Sequence, residues 1–237
     1  MFVFIMSSAL NLVLVDAKPA YLLKLQHMVN TIPYLNILFT ANHGVDCLQK
    51  LQQVKTEPDV IITDLLMPEM DGMGLAAILH YARPALPIIV LSDLLSEFEI
   101  AELMDIGVKG FLSKKKLSHA VLEQAIDAVS YRKDFIDTTA FDIAQVHKAV
   151  DHFNKLPYEK NITQQLTNKE LLYLQLLVTM ENEEEIATCM HISVKTVQYY
   201  ANNLRKKTDT SSKSALVLLA IKNRWVKIYK GYVSSHH

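Results

Sequence analysis

The chain has 237 residues, half of them hydrophobic, and a formal net charge of −1. This length suits two domains, and the composition is that of a folded protein rather than a disordered one. Its two cysteines, Cys47 and Cys189, lie far apart and match neither a disulfide framework nor a metal-ligand spacing, which indicates a cytoplasmic location.

The first 131 residues alternate short apolar strands with amphipathic helices. The opening segment 1–6 is apolar, but it is too short to cross a membrane and lacks a basic residue, so we expect no signal peptide and no membrane partner. The predicted strands are 11–15, 35–39, 60–62, 87–91 and 108–112. The predicted helices are 19–30, 45–53, 74–81, 97–105 and 117–131. This alternation predicts an α/β fold, a doubly wound five-stranded parallel sheet.

Residues 132–163 change character and are predicted to be a helical linker. A helix is expected over 138–154, and Pro157 should end it. The remaining segment, 164–237, reads as wholly helical. We therefore predict three parts: a sheet domain over 1–131, the linker, and an all-α domain over 164–237.

The helical segment carries clear start signals. Thr167 with Glu170 three residues later is a capping box, and Ser193 should cap a helix that runs to about residue 207. A short helix over 183–190 precedes it, and Ser212 opens the last of four predicted helices. The turn at 190–193 is short enough for a helix-turn-helix.

Four reactive or charged residues follow predicted strands at their C-terminal ends: Asp16, Asp64, Ser92 and Lys114. Singly, each is typical of a cap, a turn or a solvated surface. Together they lie at the edge where parallel α/β sheets bind ligands. Carboxylates there can bind a hard cation, or Asp64 can attack phosphorus to give an aspartyl-phosphate. A phosphatase is a further alternative, but it would want a second acid where this chain has Leu66.

The motifs around these residues resemble a response-regulator receiver domain over residues 10–131. They are Leu14-Val15-Asp16, the run from Asp64 to Gly72 with its Met67-Pro68 turn, Val90-Leu91-Ser92, and the run from Gly107 to Lys114. The resemblance implies that Asp64 is the phosphoacceptor, Ser92 the switch hydroxyl, Phe111 the switch aromatic and Lys114 the lysine that pairs with the phosphoryl group. It also implies a Mg²⁺ site formed by Asp16, Asp64 and the backbone carbonyl of Leu66.

One position departs from the receiver pattern. Receivers usually carry two adjacent acids after the first strand, whereas this chain has Asp16-Ala17. The missing acid removes a negative charge and a metal ligand, so we expect weak Mg²⁺ binding and slow phosphorylation.

The C-terminal segment is basic. Residues 1–162 carry 14 Lys and Arg against 19 Asp and Glu, whereas residues 163–237 carry 10 against 6. At about 100° per residue, the helix after Ser193 turns Val197 and Leu204 to one side. Its polar side and flanks are predicted to contact DNA through Lys195, Thr196, Gln198, Tyr199, Asn202, Asn203 and Lys206. Cations there suit phosphates and amides suit base edges. The acidic run 181–185 is expected to face away from phosphate.

The same helices resemble a LuxR-type helix-turn-helix domain over residues 164–226. The resemblance rests on Leu166 to Glu170, on Glu185-Ile186-Ala187, and on the run from Ile192 to Tyr200 with Asn203 to Lys207. Gln198 and Tyr200 depart from it, since the family often has Lys and His there. Together, the two resemblances imply a non-enzymatic transcription regulator of the NarL/FixJ type. Its expected partners are double-stranded DNA, a histidine kinase and a second copy of itself. The alternative is a pseudo-receiver that binds DNA independently of phosphorylation.

Overall fold

A computed structural model describes residues 9–93, 95–155, 166–180, 182–222 and 225–226. The chain divides into two compact units: residues 1–76 and 85–154 form the first, and residues 77–84 and 155–237 form the second. Pro157 and the predicted boundary between residues 163 and 164 lie outside the described residues.

In the N-terminal part, strands alternate with helices. The strands are β1 (Leu10–Val15), β2 (Leu35–Ala41), β3 (Val60–Asp64), β4 (Ile88–Leu91), β5 (Gly110–Leu112) and β6 (Phe135–Ile136). The helices are α1 (Pro19–Asn30), α2 (Gly44–Gln53), α3 (Gly72–Ala82), α4 (Glu97–Asp105), α5 (His119–Ser130) and α6 (Ile143–Lys155). The sheet is parallel, with strand order β2-β1-β3-β4-β5-β6. The chain reverses its direction of winding between β1 and β3, so these neighbours form the topological switch point.

The sheet has six strands among the described residues, not the predicted five. The extra strand, β6, lies in the segment predicted to be a helical linker and pairs with β5. Two backbone hydrogen bonds hold it against β5. The Phe135 N–H donates to the Lys109 carbonyl at 2.7 Å, and the Asp137 N–H donates to the Phe111 carbonyl at 3.0 Å. Two residues are too few to show a strand's alternation, so the sequence pattern could not reveal it.

Both faces of the sheet are covered. Leu12, Leu14 and Ile62 pack with apolar residues of α1 and α5 on one face. The alternating residues Val13 and Ile61 point to the other face and are also fully buried. Burial on both sides explains why these strands are near-continuous apolar runs, and it leaves the strand ends as the place for polar chemistry.

The C-terminal unit contains α7 (Asn168–Thr179), α8 (Glu183–Met190), α9 (Val194–Thr208) and α10 (Lys213–Lys222). The predicted capping box of Thr167 and Glu170 is confirmed, and Ser193 caps α9 by accepting from the Thr196 N–H. The α8–α9 turn closes through His191, which adopts the left-handed conformation at φ 54°. This geometry ends α8 abruptly and lets α9 start three residues after His191.

α9 packs against α7, α8 and α10. The core of this unit includes the fully buried side chains Leu174, Ile186, Val197, Leu204 and Ala220. In the ranges described above, no helix is both long and apolar enough to span a membrane.

Candidate functional sites

The ends of β1, β3, β4 and β5 bring the predicted polar residues to one edge of the sheet. Asp16 follows β1 and Asp64 ends β3, on neighbouring strands. Leu91 of β4 pairs with Asp64, which places Ser92 one residue beyond. Asp16, Asp64 and Ser92 are all buried, at 1%, 6% and 2% exposure. Buried polar groups concentrated at one strand edge mark this edge as a site rather than a surface.

Lys114 joins the two carboxylates. Its Nζ lies 2.5 Å from Asp16 Oδ2 and 2.7 Å from Asp64 Oδ2, and its side chain is only 11% exposed. Two carboxylates therefore share one ammonium group, so the cluster contains two potential negative charges and one positive charge. The arrangement shows that both Oδ2 atoms can reach the same small cation.

The other oxygen of each carboxylate is held by the backbone. The Lys18 N–H donates to Asp16 Oδ1 and the Leu65 N–H donates to Asp64 Oδ1, each at 2.8 Å. Burial raises the pKa of Asp64, and the nearby charge of Asp16 adds to this. The hydrogen bond and the charge of Lys114 oppose the shift without cancelling it. Asp64 is thus a fixed carboxylate that its surroundings stabilise incompletely, which is typical of a reactive group.

The β3–α3 loop turns tightly behind Asp64. The Gly72 N–H donates to the Leu65 carbonyl at 2.9 Å, and a Cβ at Gly72 would lie 2.0 Å from the Asp64 carbonyl oxygen. Buried Asp71 caps α3 by accepting from the Gly74 N–H at 2.7 Å. Leu66 lies in this loop with its side chain 53% exposed. The role of its carbonyl as a metal ligand stays a prediction.

Phe111 is fully buried in β5. Its backbone carbonyl accepts from the Asp137 N–H at 3.0 Å, which ties the strand of the predicted switch aromatic to β6. Its switching role, like those of Ser92 and Lys114 toward a phosphoryl group, stays a prediction.

The donor set at this edge fits a hard cation. Asp16 and Asp64 supply carboxylate oxygens that meet at one point, and such oxygens are the ligands that would hold Mg²⁺. Half-buried Ala17 provides no side-chain ligand. Within the described part of the chain, no group of three or more His, Cys, Asp or Glu side chains is arranged to hold a metal. The residues therefore fit Mg²⁺ with two protein carboxylates.

Two neighbours of this site were missed by the sequence analysis. The ring of Tyr21 lies 4.6 Å from Lys114 Nζ, a cation–π distance. Asp93 Oδ1 accepts from Ser113 Oγ at 3.0 Å and from the Lys115 N–H at 2.7 Å, which fixes the loop that carries Lys114. Asp93 could have been found from its position directly after Ser92. Tyr21 gives no comparable signal, because an aromatic residue in a first helical turn is ordinary.

The second predicted site lies on α9. The exposed residues of its polar face are Lys195, Gln198, Tyr199, Asn202 and Lys206. Thr196 and Asn203 are half-buried, and Thr196 belongs to the Ser193 cap. Five of the seven residues predicted to contact DNA are therefore exposed on one face of this helix.

Three amides on this helix already have partners. Asn203 Nδ2 donates to Glu170 Oε1 at 2.9 Å, Gln198 Nε2 donates to Glu183 Oε2 at 2.9 Å, and Asn202 Oδ1 accepts from Arg205. Glu183 does not follow the expectation for the acidic run, because it lies against a residue of the exposed face. Sequence spacing could not show the pairs with Glu170 and Glu183, since these two acids stand on other helices.

Two family models match this chain. The response regulator receiver domain matches residues 12–127, and the bacterial regulatory proteins of the luxR family match residues 164–220. The first contains the Asp64 cluster and the strands β2 to β5, and the second contains α7, α8, α9 and most of α10. Together they span most of the chain.

Relatives and solved structures agree with this assignment. The response regulator protein VraR of Staphylococcus saprophyticus is 24% identical over 81% of this chain and 87% of its own length. VraR of Staphylococcus epidermidis is 23% identical over 92% of this chain and 100% of its own. A Salmonella typhimurium RcsB structure covers 89% of this chain and 98% of its own, with 22% identity and a TM-score of 0.51, which shows a shared fold. The chain belongs to the response regulators that join a receiver domain to a LuxR-type DNA-binding domain.

Proposed function

We propose that this response regulator is phosphorylated on Asp64 and that phosphorylation switches DNA binding or dimerisation. The observation that carries the proposal is the pair of buried carboxylates, Asp16 and Asp64, held by Lys114 at the switch point of the sheet. We assign the receiver to residues 1–131, the linker to 132–163 and the DNA-binding domain to 164–237. The protein acts as a cytoplasmic switch rather than as an enzyme with turnover.

The chemistry follows from the cluster. A carboxylate oxygen of Asp64 attacks the phosphorus of a kinase phosphohistidine; the new O–P bond forms as the N–P bond breaks, and the histidine nitrogen leaves. Lys114 would exchange its contact with Asp64 for one with a phosphoryl oxygen, and the Ser92 hydroxyl would donate to another. Mg²⁺, held by Asp16, Asp64 and the Leu66 carbonyl, would supply charge neutralisation during transfer.

The output path is supported by contacts at β6. The Asp137 N–H is bonded to the Phe111 carbonyl, and the Asp137 carbonyl accepts from the Ala140 N–H at 2.9 Å, just before α6. Repacking of Phe111 would therefore shift a backbone directly bonded to the linker. We propose that this connection transmits the switch.

The DNA-binding proposal rests on the exposed polar face of α9. Its support from structural neighbours is that RcsB has been solved as dimers bound to DNA, in a structure with 21% identity and a TM-score of 0.51. We propose that this chain likewise binds double-stranded DNA as a homodimer, with α9 in the major groove.

The alternative is a pseudo-receiver that binds DNA independently of phosphorylation. A specific observation favours it: the residue after Asp16 is Ala17, which adds no metal ligand. Under either hypothesis we propose that Mg²⁺ binds weakly.

Titration with beryllofluoride, a phosphoryl mimic, over a range of Mg²⁺ concentrations tests the proposal. We expect the wild type to bind saturably only at millimolar Mg²⁺, and Asp64→Asn not to bind, as read by fluorine NMR. Ala17→Asp should restore the third carboxylate and lower the required Mg²⁺ about tenfold. Ala20→Asp, which adds the same charge at an exposed position of α1, is the matched control and should behave as wild type.

A wild type that takes up no beryllofluoride at any Mg²⁺ concentration, while still binding a selected DNA, would establish the pseudo-receiver instead. Uptake by Asp64→Asn would show that the phosphoacceptor is a different residue.

A further inference from the structure

Gln198, on the exposed face of α9, is held by an acid from another helix. Its Nε2 donates to Glu183 Oε2 at 2.9 Å, across 15 positions of sequence. Glu183 is the first residue of α8, and Gln198 lies in the second turn of α9. The contact therefore joins the two helices of the helix-turn-helix on the side predicted to meet DNA.

The Glu183 side chain is fixed by its surroundings. It is half-buried and stands in the first turn of α8, where the helix dipole favours negative charge. It also lies close to Tyr173: burial, and then the charge of Glu183, raise the pKa of that phenol to about 12. Tyr173 in turn stacks on Tyr200 of α9, with ring centroids 6.3 Å apart. Glu183 is thus a half-buried acid with a defined hydrogen-bond partner rather than a free surface acid.

A carboxylate fixes which end of a glutamine amide points toward it. An ionised glutamate only accepts hydrogen bonds, so the nitrogen of the Gln198 amide must turn toward it and the oxygen must turn away. An unrestrained glutamine can exchange these two ends by rotating its terminal torsion. Glu183 removes that freedom before any ligand arrives.

We propose that Glu183 is a positioning residue for base recognition, which fixes Gln198 so that its carbonyl oxygen faces the DNA. An outward acceptor matches bases that offer an exocyclic amine in the major groove, adenine N6 or cytosine N4, and disfavours guanine O6 and thymine O4. This inference rests on the proposed function of α9 as the DNA-contacting helix. It adds a specificity determinant that lies outside that helix.

The alternative role for Glu183 is simple repulsion of phosphate. Charge alone would act on all sequences alike and would weaken binding without changing base preference. The neighbouring Glu184 is exposed and carries the same charge on the same helix. Comparison of these two residues therefore separates orientation from charge.

Selection from a random double-stranded DNA pool tests the proposal with the full-length chain. We expect the wild type to prefer adenine or cytosine at one position of each half-site and Gln198→Ala to lose the preference there. Glu183→Gln, which can donate as well as accept, should reduce discrimination at that position about tenfold, while Glu184→Gln leaves it intact. If Glu183→Gln and Glu184→Gln both keep the preference, or relax all positions equally, the proposal is overturned.

A measurement without DNA tests the orientation itself. In wild-type protein the Gln198 side-chain N–H that donates to Glu183 should be shifted from the position of a free glutamine amide and slow to exchange with solvent. Glu183→Gln should move this resonance toward the free position and make it exchange faster. Unchanged Gln198 resonances in that variant would overturn the inference. If instead the resonances respond as expected but the wild type selects no DNA sequence, the orientation stands and the proposed DNA-binding function fails.

Discussion

Each of the two units contains a lysine that pairs with a buried carboxylate, and the charges in the two clusters are balanced differently. In the sheet unit, Lys114 serves both Asp16 and Asp64. In the helical unit, Lys207 Nζ lies 2.8 and 2.9 Å from the two carboxylate oxygens of Glu170. Glu170 also accepts from the Thr167 N–H at 2.8 Å, from Thr167 Oγ1 at 3.1 Å and from Asn203 at 2.9 Å.

The pKa values of the two carboxylates, Glu170 and Asp64, are shifted in opposite directions. Burial alone would raise the pKa of Glu170, but hydrogen bonds from Lys207 and Thr167, together with the Lys207 charge, hold it below its ordinary value. The pKa of Asp64 is raised, because burial and Asp16 outweigh Lys114. A carboxylate with a full set of hydrogen-bond donors stabilises the folded state. A carboxylate that shares its only cationic partner is less stabilised in its charged form, which is typical of reactive groups. From this difference we propose a structural role for the Lys207 cluster, and a chemical role for the Lys114 cluster.

The largest expected effect is the loss of the structural cluster. Glu170→Gln replaces one acceptor oxygen with an N–H₂ group that faces the donors of Lys207 and Asn203. We expect the free energy of unfolding of the helical unit to fall by about 3 kcal/mol. The chain's single tryptophan, Trp225, is buried in this unit, so urea unfolding followed by its fluorescence reports the change.

This stabilisation also has a predicted pH dependence. Because the pKa of Glu170 is lower in the folded state, its contribution is fully present above the unfolded pKa of about 4.5 and is lost as the pH falls through the folded value. Wild type and Glu170→Gln should therefore converge in stability as the pH drops below that range. Parallel curves across the whole pH range would show that Glu170 contributes through packing rather than charge.

Asn203 is expected to make a smaller contribution to the stability of the same cluster. Asn203→Ala removes one hydrogen bond to a charged acceptor and should lower the stability of the helical unit by about 1.5 kcal/mol. Asn202→Ala, one residue earlier on the exposed face, should change it by less than about 0.5 kcal/mol. The same fluorescence measurement compares them. Equal effects from the two variants would contradict a structural role for Asn203 and restore it as a candidate for DNA contact alone.

The two clusters also differ in how far the sequence could predict them. Asp16, Asp64, Ser92 and Lys114 were predictable as a group because parallel strands end at one edge, so position in each strand is enough. The contact of Lys114 with both carboxylates could not be predicted, because it depends on how far the lysine side chain reaches in the folded site. The partners of Asn203 and Gln198 were hidden for a related reason: the crossing of helices sets these contacts, and the helical period of α9 alone does not encode it. The strand β6 was missed because two residues show no period.

The smallest expected effect has the opposite sign and sharpens the comparison most. Asp64→Asn keeps the shape of the side chain and leaves Lys114 paired one-to-one with Asp16, so the sheet unit should gain about 1 kcal/mol at neutral pH. The sign follows from the raised pKa: below about 3.8 the residue is protonated in both states and costs nothing, and as the pH rises through the folded value the buried charge lowers wild-type stability. The stability advantage of Asp64→Asn over wild type should therefore grow from acid to neutral pH.

Hydrogen exchange of the β3 amides, followed by mass spectrometry, measures the stability of the sheet unit separately. A variant less stable than wild type at neutral pH would mean that Lys114 fully compensates Asp64, as Lys207 does Glu170, and that the two clusters are alike.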